Sequence, residues 1–559
     1  MNFQREVIAG AAGEGVQTIG EAVARSVLRL GYAVFTSQEY ESRIRGGYSS
    51  YRLRITEDPR NAPRPDADLL LALNERAAVR YRPLLRPGGL FLAEEGRGGD
   101  AVGVVPIPFA RTSNEHFGTA LYANSVAAGA LVAALGAETD GLEALLRETF
   151  ERKGDPVVLA NVEAARAGYA LAQKGLGTSP LMPLARRDGT RTLISANEAI
   201  PLAAAYAGCR FIAAYPMSPS TEIITTLSHE DGLGVFAEQA EDEIAAVNMA
   251  IGASYAGAKA MTATSGGGFS LMVEAVSLAG MTETPLVIVL GQRPGPATGL
   301  PTRTEQGDLL FAIHAGHGEF PKLVLAPANP RDAFVKTVRA FSLADRYQIP
   351  VIVLTDQYLA DSHFSFETFP LPSREPRSFL ADPSKISRYR RYELTSDGIS
   401  PRLYAGQSEH LVCLDSDEHT EEGHITEDLR GVRRAMVEKR LTKLHNLKME
   451  VALPEEIHVN DADTLIVGWG STRGAILEAV DGLRSAGERV GMVHFTEVSP
   501  LPVYSFPRAT SILVVEGNAT GQFARLLRAE YGVVPTRIVG RYDGLPLTAQ
   551  DVEGGVHAA

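Results

Sequence analysis

The chain has 559 residues, 45% of them hydrophobic and 22% charged, with 54 glycines and 32 prolines. At roughly 150 residues per domain this is three or four globular domains, and the composition excludes a collagen-like, low-complexity or disordered chain. A formal charge of −13 argues against a nucleic-acid partner, and only two cysteines, Cys209 and Cys413, exclude a disulfide scaffold and an iron–sulfur cluster held by four thiolates of this chain. No run of about 18 apolar residues occurs, so no membrane span is expected. Met1–Gly10 lacks a basic segment followed by an apolar core, so no signal peptide is expected and the expected location is the cytoplasm.

In chain order, a short apolar strand over Glu6–Ala9 leads into a glycine turn, Gly10-Ala-Ala-Gly13-Glu-Gly15. An amphipathic helix to Leu30 and a strand from Tyr32 to Phe35 complete a β–turn–α–β unit. Further strands are predicted at Ser49–Ile55, Asp68–Ala72 and Gly89–Ala93, and helices at Thr119–Leu135 and Gly141–Arg152, which makes residues 1–173 an α/β domain. Residues 174–192 are rich in Gly, Pro and polar side chains without an apolar period and read as a linker. In residues 193–361, strands at Phe211–Ala214, Ala260–Ala263, Pro285–Leu290, Lys322–Leu325 and Pro350–Leu354 alternate with helices such as Glu241–Tyr255 and Ala333–Arg346. That alternation predicts a parallel sheet covered on both faces. Residues 362–455 are irregular apart from a helix near Arg430–Asn446, and residues 456–559 return to α/β, with strands at Thr464–Val467, Gly491–His494 and Ser511–Val515. The fold class is therefore multidomain α/β, and no repeat of 20–50 residues occurs.

Several strand ends carry residues suited to chemistry. Gly10-x-x-Gly13-x-Gly15 either turns backbone amides toward a phosphate at a helix start or is a plain tight turn. Arg43-Ile-Arg45-Gly-Gly47 is either an anion contact or a solvated arginine loop. Tyr215-Pro216-Met217-Ser218-Pro-Ser-Thr221 follows a strand, and its two prolines fix the backbone where open α/β sheets bind ligands. The competing reading is a helix cap by Ser218 or Ser220. Glu238-Gln-Ala-Glu241-Asp-Glu243 opens a helix, where acidic residues ordinarily complement the dipole, yet a buried carboxyl among them could do acid–base work. Thr264-Ser265-Gly266-Gly-Gly268 follows another strand end, and its glycines permit close backbone approach. Arg293, at the end of the next strand, is placed to grip a carboxylate through two parallel hydrogen bonds. His410, His419, His424 and Cys413 match no closed zinc pattern, so no metal site is expected in this chain.

Together these segments resemble the alpha subunit of the 2-oxoacid:ferredoxin oxidoreductases, in the form with a gamma domain fused ahead of it. The strings GAAGEGVQTIGEA and RGGYSSYRLRI resemble the gamma domain. EQAEDEIAAVNMAIGASYAGAKAMTATSGGGFSLM and GQRPGPATGLPTRTEQGDL resemble the pyrimidine-binding domain, and VVEGNATGQFARLLR the transketolase-C-like domain.

The resemblance implies a thiamine diphosphate enzyme that oxidatively decarboxylates a 2-oxoacid to an acyl-CoA and CO2 and passes electrons to ferredoxin, a reaction some members run in reverse. It implies an (αβ)2 assembly in which this chain holds the aminopyrimidine, while a separate beta chain carries the diphosphate, Mg²⁺ and a [4Fe–4S] cluster. The absence of Gly-Asp-Gly from this chain fits that division. The family's spacing between its pyrimidine glutamate and the glycine of its Thr-Ala-x-x-Gly strand end, counted back from Gly266, gives Glu241 rather than Glu238 or Glu243 as the group at the pyrimidine N1′. By the same resemblance Ser218 and Arg293 meet the substrate, Tyr215, Pro216, Met217, Thr264, Ser265 and Gly266 line the cofactor, and Gly13, Gly15 and Arg45 are candidates for CoA or phosphate contact. The fused architecture points to 2-oxoglutarate. Pyruvate, branched-chain or indolepyruvate oxidation, and a non-catalytic subunit on the same fold, are the alternatives.

Overall fold

In a computed structural model, residues 5–10, 15–42, 47–96, 103–176, 183–369 and 378–558 are described. They group into two units, Met1–Ile194 with Ser362–Phe369, and Ser195–Asp361 with Pro370–Ala559.

The first unit is built on an eight-stranded mixed sheet. Its order is Val104–Ile107, Leu85–Glu94, Ala67–Ala72, Arg5–Gly10, Ser49–Thr56, Ala33–Tyr40, His363–Phe366 and Thr192–Ile194. The Arg5–Gly10 strand is parallel to Ala67–Ala72 and antiparallel to Ser49–Thr56. Helices Ala123–Ala134 and Asp155–Leu176 approach closely through small residues. A Cβ on Gly129 would lie 1.9 Å from the Ala165 carbonyl oxygen, and one on Gly168 1.9 Å from that of Val126. The long second helix runs into the stretch expected to be a linker, and that stretch ends in the Thr192–Ile194 strand. His363–Phe366, from the segment expected to be irregular, pairs antiparallel with both Ala33–Tyr40 and Thr192–Ile194 and so belongs to this sheet.

The second unit contains two sheets. The seven-stranded one runs Glu497–Ser499, Leu323–Leu325, Pro350–Asp356, Leu286–Gln292, Lys259–Ser265, Cys209–Ala214 and Phe236–Gln239. Every neighbouring pair is parallel except the first. The chain moves from Cys209–Ala214 out to the edge at Phe236–Gln239, then crosses to the other side at Lys259–Ser265. The order therefore reverses between Cys209–Ala214 and Lys259–Ser265, the crevice where open α/β sheets place ligands. The five-stranded sheet has the order Glu455–Ile457, Val490–Phe495, Thr464–Trp469, Ser511–Glu516 and Arg537–Gly540, parallel after the first pair.

One apolar cluster joins the two sheets, from Phe269, Met272 and Ile288 on one side to Trp469, Phe495 and Phe523 on the other. The Glu497–Ser499 strand reinforces the link, because it follows a strand of the smaller sheet and completes the edge of the larger one. The blocks expected at 193–361 and 456–559 thus form one body.

The helix Gly266–Met281 leaves the reversal point and ends near Glu283, which is fully buried. Lys439 Nζ bonds its carboxylate at 2.6 Å, Lys443 binds the other oxygen, and Arg391 donates to the Thr282 and Glu283 carbonyls at 3.3 and 2.7 Å. Burial by itself would raise the Glu283 pKa, but the two ammonium groups hold it well below the ordinary carboxylate range. Removing one member of such a cluster strands the other charges. Glu283→Ala is expected to cost about 3–5 kcal/mol in urea unfolding, whereas breaking an exposed pair such as Arg434–Glu438 should leave the transition nearly unmoved.

Candidate active site

At the reversal point, the loop after Cys209–Ala214 is held by the strands beside it. Ser220 Oγ donates to the Thr264 carbonyl at 2.7 Å, and the buried Asn197 amide donates to the Pro219 carbonyl at 2.8 Å. The Ser220 hydroxyl therefore ties two strand ends together and makes no cap bond to the helix Thr221–His229 that it precedes. Gly291 leaves room for this arrangement, since a Cβ there would lie 2.6 Å from Ser220 Oγ and 2.9 Å from Pro219 Cγ. Arg293 Nη1 donates to the Ser218 carbonyl at 2.8 Å. Ser218 and Arg293 are thus brought together, each half-buried. Pro216 and Met217 are also half-buried, Tyr215 is exposed, Thr264 and Ser265 are fully buried, and Gly266 is half-buried at the start of its helix.

Glu241 is exposed, as is Glu238. The residue between Glu241 and Glu243 explains the difference. Asp242 has extended backbone and its carboxylate accepts from Ala245 N at 2.7 Å, so it is the N-cap. Glu241 therefore precedes the helix, and Glu243 is its first residue. Glu243 shares the inward stripe with Ala246, Val247, Ala250 and Ser254, and is 4% exposed. Its Oε1 is buried with no hydrogen-bond partner. A Cβ on Gly268 would fall 2.4 Å from this oxygen and 2.2 Å from Thr264 Oγ1, so the carboxyl, the hydroxyl and the bare Gly268 backbone share one small space. The buried hydroxyls of Thr262 and Ser265 also lack partners. An unpartnered buried carboxylate oxygen is costly and implies a missing donor.

Across the Gly266 backbone stands a second carboxyl that the sequence reading did not single out. A Cβ on Gly266 would lie 2.5 Å from Asp308 Oδ2. Asp308 N donates to Gln292 Oε1 at 3.0 Å, and the Gln292 amide donates to the Thr355 carbonyl at 3.2 Å. Burial pushes the Asp308 pKa up to about 6, against the opposing charge of Arg293. Burial, with the nearby Asp308 charge, also raises Glu305. The edge therefore presents the Arg293 cation together with two carboxyls, Asp308 and Glu305, that resist ionisation.

Gly15, in the first unit, has φ +80 and caps the helix Val16–Leu28, and a Cβ there would lie 1.9 Å from Asn124 Nδ2. Gly13 and Arg45 lie outside the described residues. Among the described residues no group of three or more His, Cys, Asp or Glu side chains could hold a metal ion, and no helix is long and apolar enough to cross a membrane.

A family model described as "Pyruvate flavodoxin/ferredoxin oxidoreductase, thiamine diP-bdg" matches residues 202–439, and one described as "Pyruvate ferredoxin/flavodoxin oxidoreductase" matches residues 5–171. Subunit alpha of 2-oxoacid:ferredoxin oxidoreductase 2 from Aeropyrum pernix is 32% identical, over 98% of this chain and 96% of its own. The chain belongs to the 2-oxoacid:ferredoxin oxidoreductase alpha-subunit family. Within that family, the 2-oxoglutarate oxidoreductase subunit KorA from Mycobacterium tuberculosis is 29% identical over 99% of this chain and 90% of its own. A solved 2-oxoglutarate:ferredoxin oxidoreductase from Magnetococcus marinus, with 2-oxoglutarate, coenzyme A and succinyl-CoA bound, matches at TM-score 0.91 and 33% identity over 99% of both chains.

The thiamine-diphosphate-binding segment of this alpha-subunit family, residues 202–439, contains the reversal point. Its residues fit an aminopyrimidine on the structure's own terms. A buried carboxyl oxygen lacks a donor, the buried Thr264 hydroxyl shares its space, and Gly268 has no side chain to displace either.

The Asp308 environment sets a pH dependence of stability. A carboxyl whose folded pKa, about 6, exceeds its ordinary 3.8 favours folding while protonated, and that contribution is lost as pH rises from about 4 to about 6. Asp308→Asn cannot ionise. Its stability relative to the parent chain is expected to increase between pH 4 and pH 7.5 by about 2 kcal/mol, measured by urea unfolding at both values.

Proposed function

We propose that this chain is the alpha subunit of a CoA-dependent 2-oxoglutarate:ferredoxin oxidoreductase that binds the aminopyrimidine of thiamine diphosphate and converts 2-oxoglutarate to succinyl-CoA and CO2. The carrying observation is the buried, unpartnered Glu243 Oε1 facing Thr264 and Gly268 at the sheet's reversal point. The choice of 2-oxoglutarate is supported by the names of relatives that align over nearly their whole length.

In this reading the pyrimidine carboxyl is Glu243, two residues beyond Glu241. When bound, thiamine diphosphate supplies the nucleophilic carbon and the electron sink for cleaving the bond to the 2-oxoacid carboxylate. Glu243 holds a proton at the ring nitrogen N1′, in a space dry enough to make that hydrogen bond strong. Thr264, Ser265 and Gly266 bound the ring, with Met217 on the opposite side of Thr264, its Sδ 4.0 Å from Thr264 Oγ1. Arg293 is pinned through one N–H to the Ser218 carbonyl, and its remaining donors bind the substrate carboxylate and orient the carbonyl. The Ser218 hydroxyl meets the same substrate.

The rest of the site comes from a beta partner carrying the diphosphate, Mg²⁺ and an iron–sulfur cluster, with ferredoxin as electron acceptor. The helix that begins at Glu243 supports such a partner. It has no charged residue from Ile244 to Tyr255, yet Ile244, Asn248 and Gly252 form an exposed stripe, and Leu271 on the next helix is 50% exposed. A helix that is apolar all round is ordinarily covered, and this one starts at the cofactor carboxyl.

Two outcomes are expected. In the alpha–beta complex, Glu243→Gln lowers turnover with 2-oxoglutarate and a viologen acceptor by about 10²–10⁴-fold, while Glu241→Gln leaves it within a fewfold. Equal effects of the two would refute the assignment. Gly252→Arg, placed where a side chain meets nothing within 4 Å, keeps or slightly raises the melting temperature of the chain alone but abolishes co-elution with the beta partner. Undiminished co-elution would refute docking on that face.

A further inference from the structure

The five-stranded sheet has its own reversal point. From Thr464–Trp469 the chain goes to Val490–Phe495 on one side and then to Ser511–Glu516 on the other. The crevice between the carboxyl ends of Thr464–Trp469 and Ser511–Glu516, bounded by Gly470 and Gly517, is where such a sheet would bind a ligand. Here a side chain of the same polypeptide fills it. Gln306 Nε2 donates to the Trp469 carbonyl at 3.3 Å, and its Oε1 accepts from Gly517 N at 2.8 Å. The Gln306 backbone N donates to the Gly517 carbonyl at 2.7 Å, and its own carbonyl accepts from Asn518 Nδ2 at 3.1 Å. Gln306 is 3% exposed. A Cβ on Gly470 would press on its amide at 3.1 Å, and one on Gly517 on its Cγ at 3.2 Å.

A second clamp flanks the first. Gln522 Nε2 donates to the Gly307 carbonyl at 2.6 Å, and its Oε1 accepts from Leu310 N at 2.9 Å. Gln306 and Gly307 lead directly into Asp308. Both glutamine clamps therefore hold the short segment that sets the Asp308 carboxyl against Gly266, beside Arg293.

We propose that Gln306 is a positioning residue. By occupying the ligand crevice of the smaller sheet, it latches the Glu305–Asp308 segment and fixes Asp308 over the Gly266 helix start in the substrate site, with Gln522 as the second point of attachment. Calling that edge the substrate site rests on the function proposed above; the latch itself does not. An amide suits the crevice because Trp469 offers an acceptor and Gly517 a donor, and one side chain must satisfy both. The charged groups facing Asp308 are Arg293, outside the clamped segment, and Glu305, within it.

The test reads the position of Asp308 through its titration in the full chain, with no cofactor or partner present. The difference in melting temperature between the parent and Asp308→Asn is followed from pH 4 to pH 8, first in the native background and then in Gln306→Ala and Gln522→Ala. In the native background the difference should grow between about pH 4 and about pH 6, with a midpoint near pH 5, and level off above that. In Gln306→Ala a released, hydrated Asp308 should return toward its ordinary value, so the difference should level off at least one pH unit lower and lose about half its size or more, with Gln522→Ala giving a smaller change in the same direction. A glutamine that only adds stability would lower the melting temperature equally at every pH and leave the midpoint in place, and that result in both variants would overturn the proposal. If Gln306→Ala does not fold, Gln522→Ala decides alone. In the alpha–beta complex, Gln306→Ala should raise KM for the 2-oxoacid several-fold more than it lowers kcat, and should do so less than additively with Asp308→Asn. A shifted midpoint alongside an inert Glu243→Gln substitution would leave the latch standing and remove the proposed function. An unshifted midpoint alongside an inactive Glu243→Gln enzyme would do the reverse.

Discussion

A carboxylate buried without a hydrogen-bond partner is among the more expensive things a protein can build, and the second unit is arranged around one. Glu243 is the first residue of its helix, so unpaired backbone N–H groups lie close by and the dipole favours a negative charge there. The Asp242 cap takes the Ala245 N–H, which leaves the Glu243 side chain free to turn inward. The glycine at 268 then lets the carboxyl lie against bare backbone, where the Cβ of any larger residue would fall 2.4 Å from Oε1. Together these features hold a carboxyl oxygen buried and unpartnered. The Asp242 cap stabilises its helix, but the unpartnered buried oxygen works against the fold, which is the pattern expected where local consistency has been given up for a site.

Much of this architecture can be read from residues alone, because strand ends followed by glycine or proline are strong punctuation. The turns at Tyr215, Thr264 and Arg293 all emerge on one sheet edge, as the alternation of strands and helices implies. The buried carboxyl is harder to place, because the reference point for the resemblance is ambiguous. Residues 266–268 are all glycine, and the family spacing counted back from Gly266 reaches Glu241, whereas the same spacing from Gly268 reaches Glu243. A local signal was available: Asp242, three residues before Ala245, is a good N-cap, and a helix starting at Glu243 puts that residue on the stripe of Ala246, Val247 and Ala250. Asp308 and Gln306 had no such signal. Their importance comes from backbone that lies far away in sequence, at Gly266 and Gly517, and no periodicity or local motif encodes a contact across 211 residues.

The domain boundaries show the same limit. Composition separates residues 193–361 from 456–559 because an irregular stretch lies between them. The pairing of Val324 with Ser499, and the shared apolar cluster of Phe269 and Phe523, make them one body. Likewise His363–Phe366 looks like the start of a loop, yet its alternating side chains complete the sheet of the first unit.

The two parallel sheets of the second unit therefore use the same topological feature in opposite ways. Both have a reversal point at the carboxyl ends of neighbouring strands. In the larger sheet that crevice brings together a half-buried cation, a buried carboxyl with an unpartnered oxygen, and glycine backbone. In the smaller sheet the equivalent crevice is already filled by Gln306, with its donor and acceptor both satisfied. A side chain bonded into the crevice in this way transmits position. Bonds from Gly517, Asn518 and Gln522 converge on Gln306, Gly307 and Leu310, around the one segment that delivers Asp308 to the open crevice. Backbone held at both ends by amides from a second, well-packed sheet has little freedom to relax. This rigidity is what allows a half-buried carboxyl to sit beside Arg293 without collapsing into a salt bridge that would occupy the arginine's remaining donors.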